Sequence, residues 1–581
     1  MQNTQERVVL RDEANRRWLN FTSPCEIITT RQIEEVQPLI RRMEERVQQE
    51  GLYAAGFISY EAAPAFDSCL PVKIDGEFPL LWFGLFKQAD EIAIQQSGGD
   101  QDAAITWHPD VTPEEYRRCL HTIRNLIREG DTYQVNYTYR LRATTDVDPW
   151  RLFIRMAGDG EAPFAGFVDT GEWAICSASP ELFLRQDGEK IESRPMKGTA
   201  ARGLWFEDDL ANSETLIRSE KERAENVMIV DMVRNDLGRV ALCGSVQTPS
   251  LFKVEKYPTV WQLTSTVQAR TCASLDKILQ ATFPPASITG APKQRTMEII
   301  ADLESSPRRI YTGAIGFVAP GRRAQFNVAI RTVLLHKPTR RAEYGAGGGI
   351  VWDSKPADEY EESLTKTKVL APFPRDFDLL ETMLFEPRAG YALLEYHLKR
   401  LAQSAEYFGF RIDPRKIREE LARVAAGLPP KRHRVRLLVS RPGGIRCEAA
   451  SMELSPSGFG NIVPAKNPVN TRDVFLYHKT TRRFVYEDAV RMRPGNDDVL
   501  LFNEAGHATE TTVANIAVEM DGVLCTPPVR CGLLPGTQRA WLLDHARLQE
   551  RILSIQDVLN SPNVYLLNSV RGMHKVHIRK S

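Results

Sequence analysis

Ala371-Pro372-Phe373-Pro374-Arg375 constrains what this chain can fold into more than any other stretch. Two prolines within three residues cannot continue the helical pattern that precedes them, because each lacks a backbone N–H and disfavours helical geometry in the residue before it. A new apolar pattern starts at Leu379. The 581 residues also exceed the roughly 250–300 at which a single core stops growing. The break therefore reads as a boundary between two folded halves, 1–372 and 377–581, joined by a connector at 373–376. Strand-like and helix-like patterns intermix in both, so α+β is the expected class of each.

Within the first half, residues 1–100 alternate short apolar strands (56–60 and 80–83) with a helical stretch at 31–50, and a polar glycine-bearing loop follows at 97–102. Thr112 then reads as a helix cap, with Pro113 at the first position and Glu115 three residues after the cap. Tyr116, Leu120, Ile123 and Ile127 form one stripe of that helix, and Gly130 stops it. In the second half, Leu398, Leu401, Ala405 and Phe408 face one way on a helix that ends at Gly409.

Charge excludes some partners. Seventy-five basic residues balance seventy-five acidic ones, so no net field recruits nucleic acid or an anionic membrane, and an anionic ligand must be met by local groups. The N-terminus lacks the apolar core of a secretion signal, and no run of about 18 apolar residues is present to span a bilayer. Nine scattered cysteines without a CxxC pair read as reduced thiols, so a cytoplasmic protein is expected.

Two helical segments each carry a carboxylate pair. Glu222 and Glu225 are three apart, as are Glu359 and Glu362, with Lys366 four further on, and these spacings place each set on one helix face. Val227, Met228, Val230 and Val233 follow the first pair, so that helix is expected to be largely buried. A random pair of this kind is usually a solvated acidic face. On a buried helix, like charges need a cation, and four carboxylates suit a hard, partly hydrated Mg²⁺.

These pairs lie in a longer ordered run: GDTYQVNYT (130–138), SASPELFL (177–184), SRPMKGT (193–199), ERAENVMIVDMVRNDLGRV (222–240), ITGAPKQRTMEIIADLE (288–304), YTGAIG (311–316), NVAIRTV (327–333) and YGAGGGIVWDS (344–354). Together they resemble the chorismate-utilising enzymes, the family of component I of anthranilate synthase and aminodeoxychorismate synthase, densely over 115–370 and loosely over 1–100. The resemblance implies that Glu225 and Glu362 bind Mg²⁺ directly while Glu222 and Glu359 hold its waters. It implies that Arg331, Lys366, Tyr311 and the backbone of Gly347, Gly348 and Gly349 grip the two carboxylates of chorismate, with Thr289 and Gly290 along the ring. Lys197 discriminates within the family, since anthranilate synthases usually carry alanine there. By resemblance Lys197 attacks C2 of chorismate and expels the 4-hydroxyl, after which ammonia attacks C4 and expels the lysine. Read without its family, Lys197 is a basic anchor for an anion. Gln262 stands where anthranilate synthases carry histidine and cannot exchange a proton at neutral pH as histidine does. Lys293 is a spare candidate acid. No nucleophile-elbow cysteine of a glutaminase is present, so ammonia comes from solution or from a separate glutamine amidotransferase subunit.

In the second half LLEYHLKRL (393–401), LYHKTTRR (476–483), LLFNEAGHATETTVANI (500–516), LCTPPVRCGLLPGTQR (524–539) and YLLNSV (565–570) occur in order. Together they resemble the fold-type IV pyridoxal phosphate (PLP) enzymes, which include branched-chain and D-amino acid transaminases and aminodeoxychorismate lyase. Alone, Lys479 beside Arg482 and Arg483 would be a basic turn. Following an apolar stretch at 474–477 read as a strand, it is implied to be the lysine that binds PLP. Glu510 is implied to pair with the pyridinium nitrogen. Arg400, Gly536, Thr537 and Ser569 are implied to hold the phosphate, and Thr382 to orient the reacting amine. A homodimer through this half is compatible with the family.

The two halves imply consecutive use of one intermediate: amination of chorismate to 4-amino-4-deoxychorismate, then elimination of pyruvate to give p-aminobenzoate for folate synthesis. The rivals are an anthranilate synthase fused to an amino acid transaminase, and a catalytically dead regulator that binds chorismate or tryptophan.

Overall fold

A computed structural model describes residues 6–94, 105–158, 162–370, 376–452 and 461–579. The chain folds into two compact units, one formed by 1–202 and 213–373 and the other by 203–212 and 374–581. The loop at 97–102 and the joint at 371–375 lie outside the described residues.

The first unit stacks two ten-stranded sheets whose strands pair antiparallel. Between them Val8 and Phe21 of one sheet meet Phe57, Phe86 and Ile315 of the other. Each such side chain contributes about 1.5–3 kcal/mol on leaving water. Helices cover both outer faces. Ile33–Glu50, Glu220–Gly238 and Leu275–Thr282 lie over one sheet, and Pro113–Glu129, Pro149–Ala157 and Lys293–Leu303 over the other. Pro113–Glu129 starts where its sequence says it should: Glu115 N–H donates to the Thr112 hydroxyl at 3.2 Å while the Glu115 carboxylate accepts from Thr112 N–H at 2.8 Å. At its end Gly130 adopts φ 85°, and Tyr116, Leu120 and Ile123 are buried.

The second unit holds a four-stranded antiparallel sheet and an eight-stranded sheet. In the first, strand Leu379–Glu386 is paired with His433–Val439 and packs under helices Leu394–Phe408 and Pro414–Gly427. No helix among the described residues is long and apolar enough to cross a membrane.

Three expectations change. Residues 474–477 are not a strand: Val474–Leu476 is a single 3-10 turn whose first N–H groups are capped by Asp473, accepting from Phe475 N–H. Phe475, Leu476 and Tyr477 are all buried in succession, which a two-faced strand does not allow. The Glu220–Gly238 helix is not largely buried. It buries Ile229, Val230, Val233 and Leu237 on one stripe, while Val227 is 40% exposed. Finally, 1–372 is interrupted, because Leu204 and Trp205 pack with Leu476 and Tyr477 and carry 203–212 into the second unit.

Candidate active sites

In the first unit a cavity opens among strands Met196–Ala201 and Arg341–Ile350 and helices Glu220–Gly238 and Pro356–Lys366. Lys197 reaches it because the ladder between Met196–Ala201 and Val260–Arg270 slips between Met196 and Thr199, a bulge that re-aims the side chain. Gly198 completes the bulge at φ 95°. A Cβ there would stand 2.9 Å from Leu263 and 3.2 Å from the Glu222 carboxylate, so glycine is what lets the acidic helix approach. Burial lowers the pKa of Lys197, helped by Lys366 and opposed by Glu225, Glu181 and Glu362.

Glu222, Glu225, Glu359 and Glu362 all line this cavity. Burial raises the first three, and neighbouring carboxylates add to it. Glu362 is instead held low by Lys366, whose ammonium lies 2.9 Å away and also donates to Gly347 C=O at 3.0 Å. Glu359 accepts from the Ser354 hydroxyl at 2.6 Å. Among the described residues no group of three or more His, Cys, Asp or Glu is poised to hold a metal ion. The donor chemistry nevertheless fits a hard cation, since Glu222, Glu225 and Glu359 keep elevated pKa values although Lys197, Lys221 and Lys366 oppose the shift.

Arg331 lines the same cavity from a left-handed backbone (φ 50°), with its guanidinium over the Tyr257 ring at 5.4 Å. It has no carboxylate partner among the described residues, which leaves its fork to an anion. Tyr311, Gln262 and Gly347 to Gly349 also line the cavity. At Gly349 an added Cβ would stand 2.6 Å from Lys197 Nζ and 2.3 Å from Gln134 Nε2, so a side chain there would displace the Lys197 amine. Thr289 and Gly290 do not line it. The Thr289 hydroxyl turns back on Pro285 and Ala286 carbonyls, Gly290 pairs with Val135, and Ser287 and Ile288 form the wall instead. Nor does Lys293, which is bound to Asp236 at 2.9 Å.

Two residues escaped the sequence reading. Glu181 lines the cavity 4% exposed, and burial pushes its pKa up to about 7 against a Ser287 hydrogen bond and the Lys197 charge. The pairing of Leu182 with Arg194 folds Glu181 back beside Met196 and Lys197. The second, next to Gly349 but not part of the cavity lining, is Gln134, 1% exposed, whose amide N and O have no hydrogen-bond partner among the described residues.

In the second unit Lys479 is held at the sheet edge, its C=O accepting from Leu380 N–H at 3.0 Å. Burial, then Arg400 and Arg483, lower its pKa to about 8 against Glu381 and Glu510. Glu510 is 3% exposed and accepts from the Tyr486 hydroxyl (2.8 Å), Leu534 N–H (3.1 Å) and Asn515 Nδ2 (3.0 Å). Burial nonetheless pushes it up to about 7, so a cationic ring nitrogen would be a welcome partner. At Gly536 an added Cβ would stand 1.9 Å from Asn515 Oδ1, so a larger residue before helix Thr537–Asp544 would push aside the amide that binds Glu510. Ser569 donates to Thr382 C=O at 3.2 Å. Arg400 is not a lone clamp. Its Nε and Nη2 bind Glu381 at 2.9 and 2.6 Å, leaving Nη1 on Pro535 C=O at 3.1 Å. Glu381 and His397 are therefore site residues that the sequence reading missed. The signal for Glu381 was an acid on an otherwise apolar inward strand face; His397 sits on a helix face that also buries Arg400 and Ser404 and so does not stand out. A buried lysine facing a buried carboxylate, with a glycine-started helix and an arginine nearby, is a set that fits PLP.

Residues 5–372 match the chorismate binding enzyme family and residues 378–578 match amino-transferase class IV. The chain thus belongs to the chorismate binding enzymes and carries a class IV aminotransferase domain behind that module. Aminodeoxychorismate synthase of Streptomyces griseus is 44% identical over 258 residues, 44% of this chain and 35% of that protein. Aminodeoxychorismate synthase component 1 of Bacillus subtilis (strain 168) is 35% identical over 356 residues, 54% of this chain and 75% of that protein. The chain thus spans about a third of the first relative and three quarters of the second. Among solved structures, anthranilate synthase component I of Streptococcus pneumoniae TIGR4 superposes with a TM-score of 0.53 at 25% identity, covering 63% of this chain and 92% of that one.

Proposed function

We propose that this chain makes p-aminobenzoate from chorismate in two steps, amination in the first unit and pyruvate elimination in the second. The observation that carries the reading is Lys197, aimed by its bulge into a cavity that also presents Glu181 and Arg331, which has no carboxylate partner among the described residues.

Chorismate is a dianion, and Arg331 with the Gly347 to Gly349 backbone would grip its carboxylates. Mg²⁺ would be held by Glu225 and Glu362, with Glu222 and Glu359 taking its waters, once Lys366 yields Glu362. The unprotonated Lys197 amine forms a bond to C2, the ring double bonds shift, and the C4–O bond breaks. Glu181, with its pKa near 7, supplies the proton that lets the hydroxyl leave as water. This gives the general acid that Gln262 cannot provide. Ammonia then bonds to C4 and the C2–Lys197 bond breaks, returning the lysine. Gln134 offers its unpartnered amide beside Lys197 to the small polar nucleophile.

In the second unit Lys479 would hold PLP, Glu510 its ring nitrogen, and Thr537, Ser569 and the Gly536 backbone its phosphate. The cofactor supplies an electron sink for the carbanion formed at C4. Lys479 removes the C4 proton, since at a pKa of about 8 it is a usable base near neutrality. Loss of the C3–O bond then releases enolpyruvate as the ring becomes aromatic, and a proton taken on its methylene carbon makes it pyruvate. Thr382 sits beside the Ser569 contact, where it would orient the amine. Ammonia would come from a separate glutamine amidotransferase subunit or from solution. Nine free cysteines are in keeping with a reducing, cytoplasmic setting.

The test is a product assay of the full chain with chorismate, Mg²⁺, ammonium and PLP. Equal amounts of p-aminobenzoate and pyruvate are expected, and anthranilate as the product would overturn the assignment of the first unit.

A further inference from the structure

Beside the second site runs a chain of polar side chains that ends on Thr537 and whose other members the proposed reaction does not use. Glu381, 1% exposed, binds Arg400 through both oxygens and accepts from His397 Nδ1 at 2.6 Å. Despite burial, Arg400 and His397 hold its pKa down to about 2, so this carboxylate only accepts. The proton of a neutral imidazole must therefore sit on Nδ1, which leaves Nε2 an acceptor. Nε2 lies 3.3 Å from the Thr537 hydroxyl, whose residue is 4% exposed. In this state the Thr537 proton points at His397, and its oxygen shows lone pairs to whatever stands at the head of the helix. An incoming phosphate oxygen would meet those lone pairs. Protonation of Nε2 reverses the bond: the imidazolium donates to Thr537 Oγ, and the hydroxyl proton is freed to donate outward.

We propose that Glu381, His397 and Thr537 form a proton-linked gate for the phosphate of PLP, so that the cofactor binds with one proton taken from solvent onto His397 Nε2. The inference rests on the PLP reading of this site. Without the anion, burial keeps His397 neutral, with Arg400 and Lys479 acting in the same direction and Glu381 opposing them. These groups face it from every packed element: Glu381 from strand Leu379–Glu386, Arg400 on its own helix, Lys479 from the sheet edge, and uncharged Thr537 from helix Thr537–Asp544. A phosphate dianion supplies the missing negative charge. Glu381 acts as a positioning residue, fixing the tautomer and so the direction of the relay.

The test is calorimetric titration of PLP into the PLP-free full chain, at one pH in buffers of differing ionisation enthalpy, to count protons. The wild type is expected to take up about one proton more per PLP than His397→Gln. Its affinity should also fall more steeply with rising pH, by up to about tenfold per unit. Thr537→Val should lose the extra proton and Thr537→Ser keep it, which covers a His397 variant that fails to fold. Pyridoxal, which has no phosphate, should give equal counts in all proteins. PLP binding with equal proton counts in wild type, His397→Gln and Thr537→Val would overturn the gate. Failure of the wild type to bind PLP at any pH would overturn the cofactor reading, and the gate with it.

Discussion

Lys197 and Lys479 are both buried amines made less basic than lysine in water, but their surroundings differ in sign. Lys197 stands among carboxylates: Glu225, Glu181 and Glu362 favour its charged form, and only burial and Lys366 oppose them. Around Lys479 the cations outweigh the acids: Arg400 and Arg483 add to burial more than Glu381 and Glu510 oppose it, and its pKa is about 8. The difference matches the chemistry proposed for each. The first amine must attack a dianion held by a metal, so acids that can take Mg²⁺ belong around it. The second must hold a phosphorylated cofactor, so guanidinium groups belong there. Burial lowers both lysines, and the neighbours then decide which ligand each site accepts.

The largest effect expected from breaking this comparison is at the first lysine. Lys197→Ala should reduce chorismate amination by on the order of 10³-fold or more, because the nucleophile is gone. Added 4-amino-4-deoxychorismate should still be converted to p-aminobenzoate. Next is Glu181→Gln, with a loss of about 10²-fold. In the wild type the acid must be protonated to act, so amination should decline as pH rises through about 7; in the variant that decline should vanish from the pH–rate profile. Gly198→Ala tests the bulge, since φ 95° and the 2.9 Å approach to Leu263 are costly for alanine. A loss of about 1–3 kcal/mol is expected in urea unfolding of the first unit. The smallest effect is at the second lysine. Arg483→Met removes one of its cations, so the Lys479 pKa should rise from about 8, read as a higher pH midpoint for amine acylation in the PLP-free chain. No shift there would mean that burial alone sets its basicity.

Much of this was legible in the sequence, and the parts that were not have a common cause. The capped helix at Thr112, the two acidic helix faces and the split near 372 are local patterns, and local patterns are visible in one dimension. Glu181 was not, because its meaning comes from a hairpin: the Leu182 to Arg194 pairing brings it beside Lys197, and nothing in SASPELFL says so. Glu381 and His397 are hidden for the same reason, as strand and helix must pack before their charges meet. The 474–477 stretch misled because four apolar residues in a row suit a buried turn as well as a strand, and the Asp473 cap decides for the turn. Thr289 and Lys293 lie in a motif whose neighbours, Ser287 and Ile288, face the cavity, and a motif alone does not say which of its residues point inward.

The central claim is that the two lysines act in series on one intermediate, and Lys479→Ala tests it most directly. Given chorismate, ammonium, Mg²⁺ and PLP, and followed by liquid chromatography with mass spectrometry, the variant should accumulate 4-amino-4-deoxychorismate at the wild-type rate of chorismate consumption without forming p-aminobenzoate. Undiminished p-aminobenzoate from the variant, or loss of chorismate consumption together with it, would contradict the division of labour.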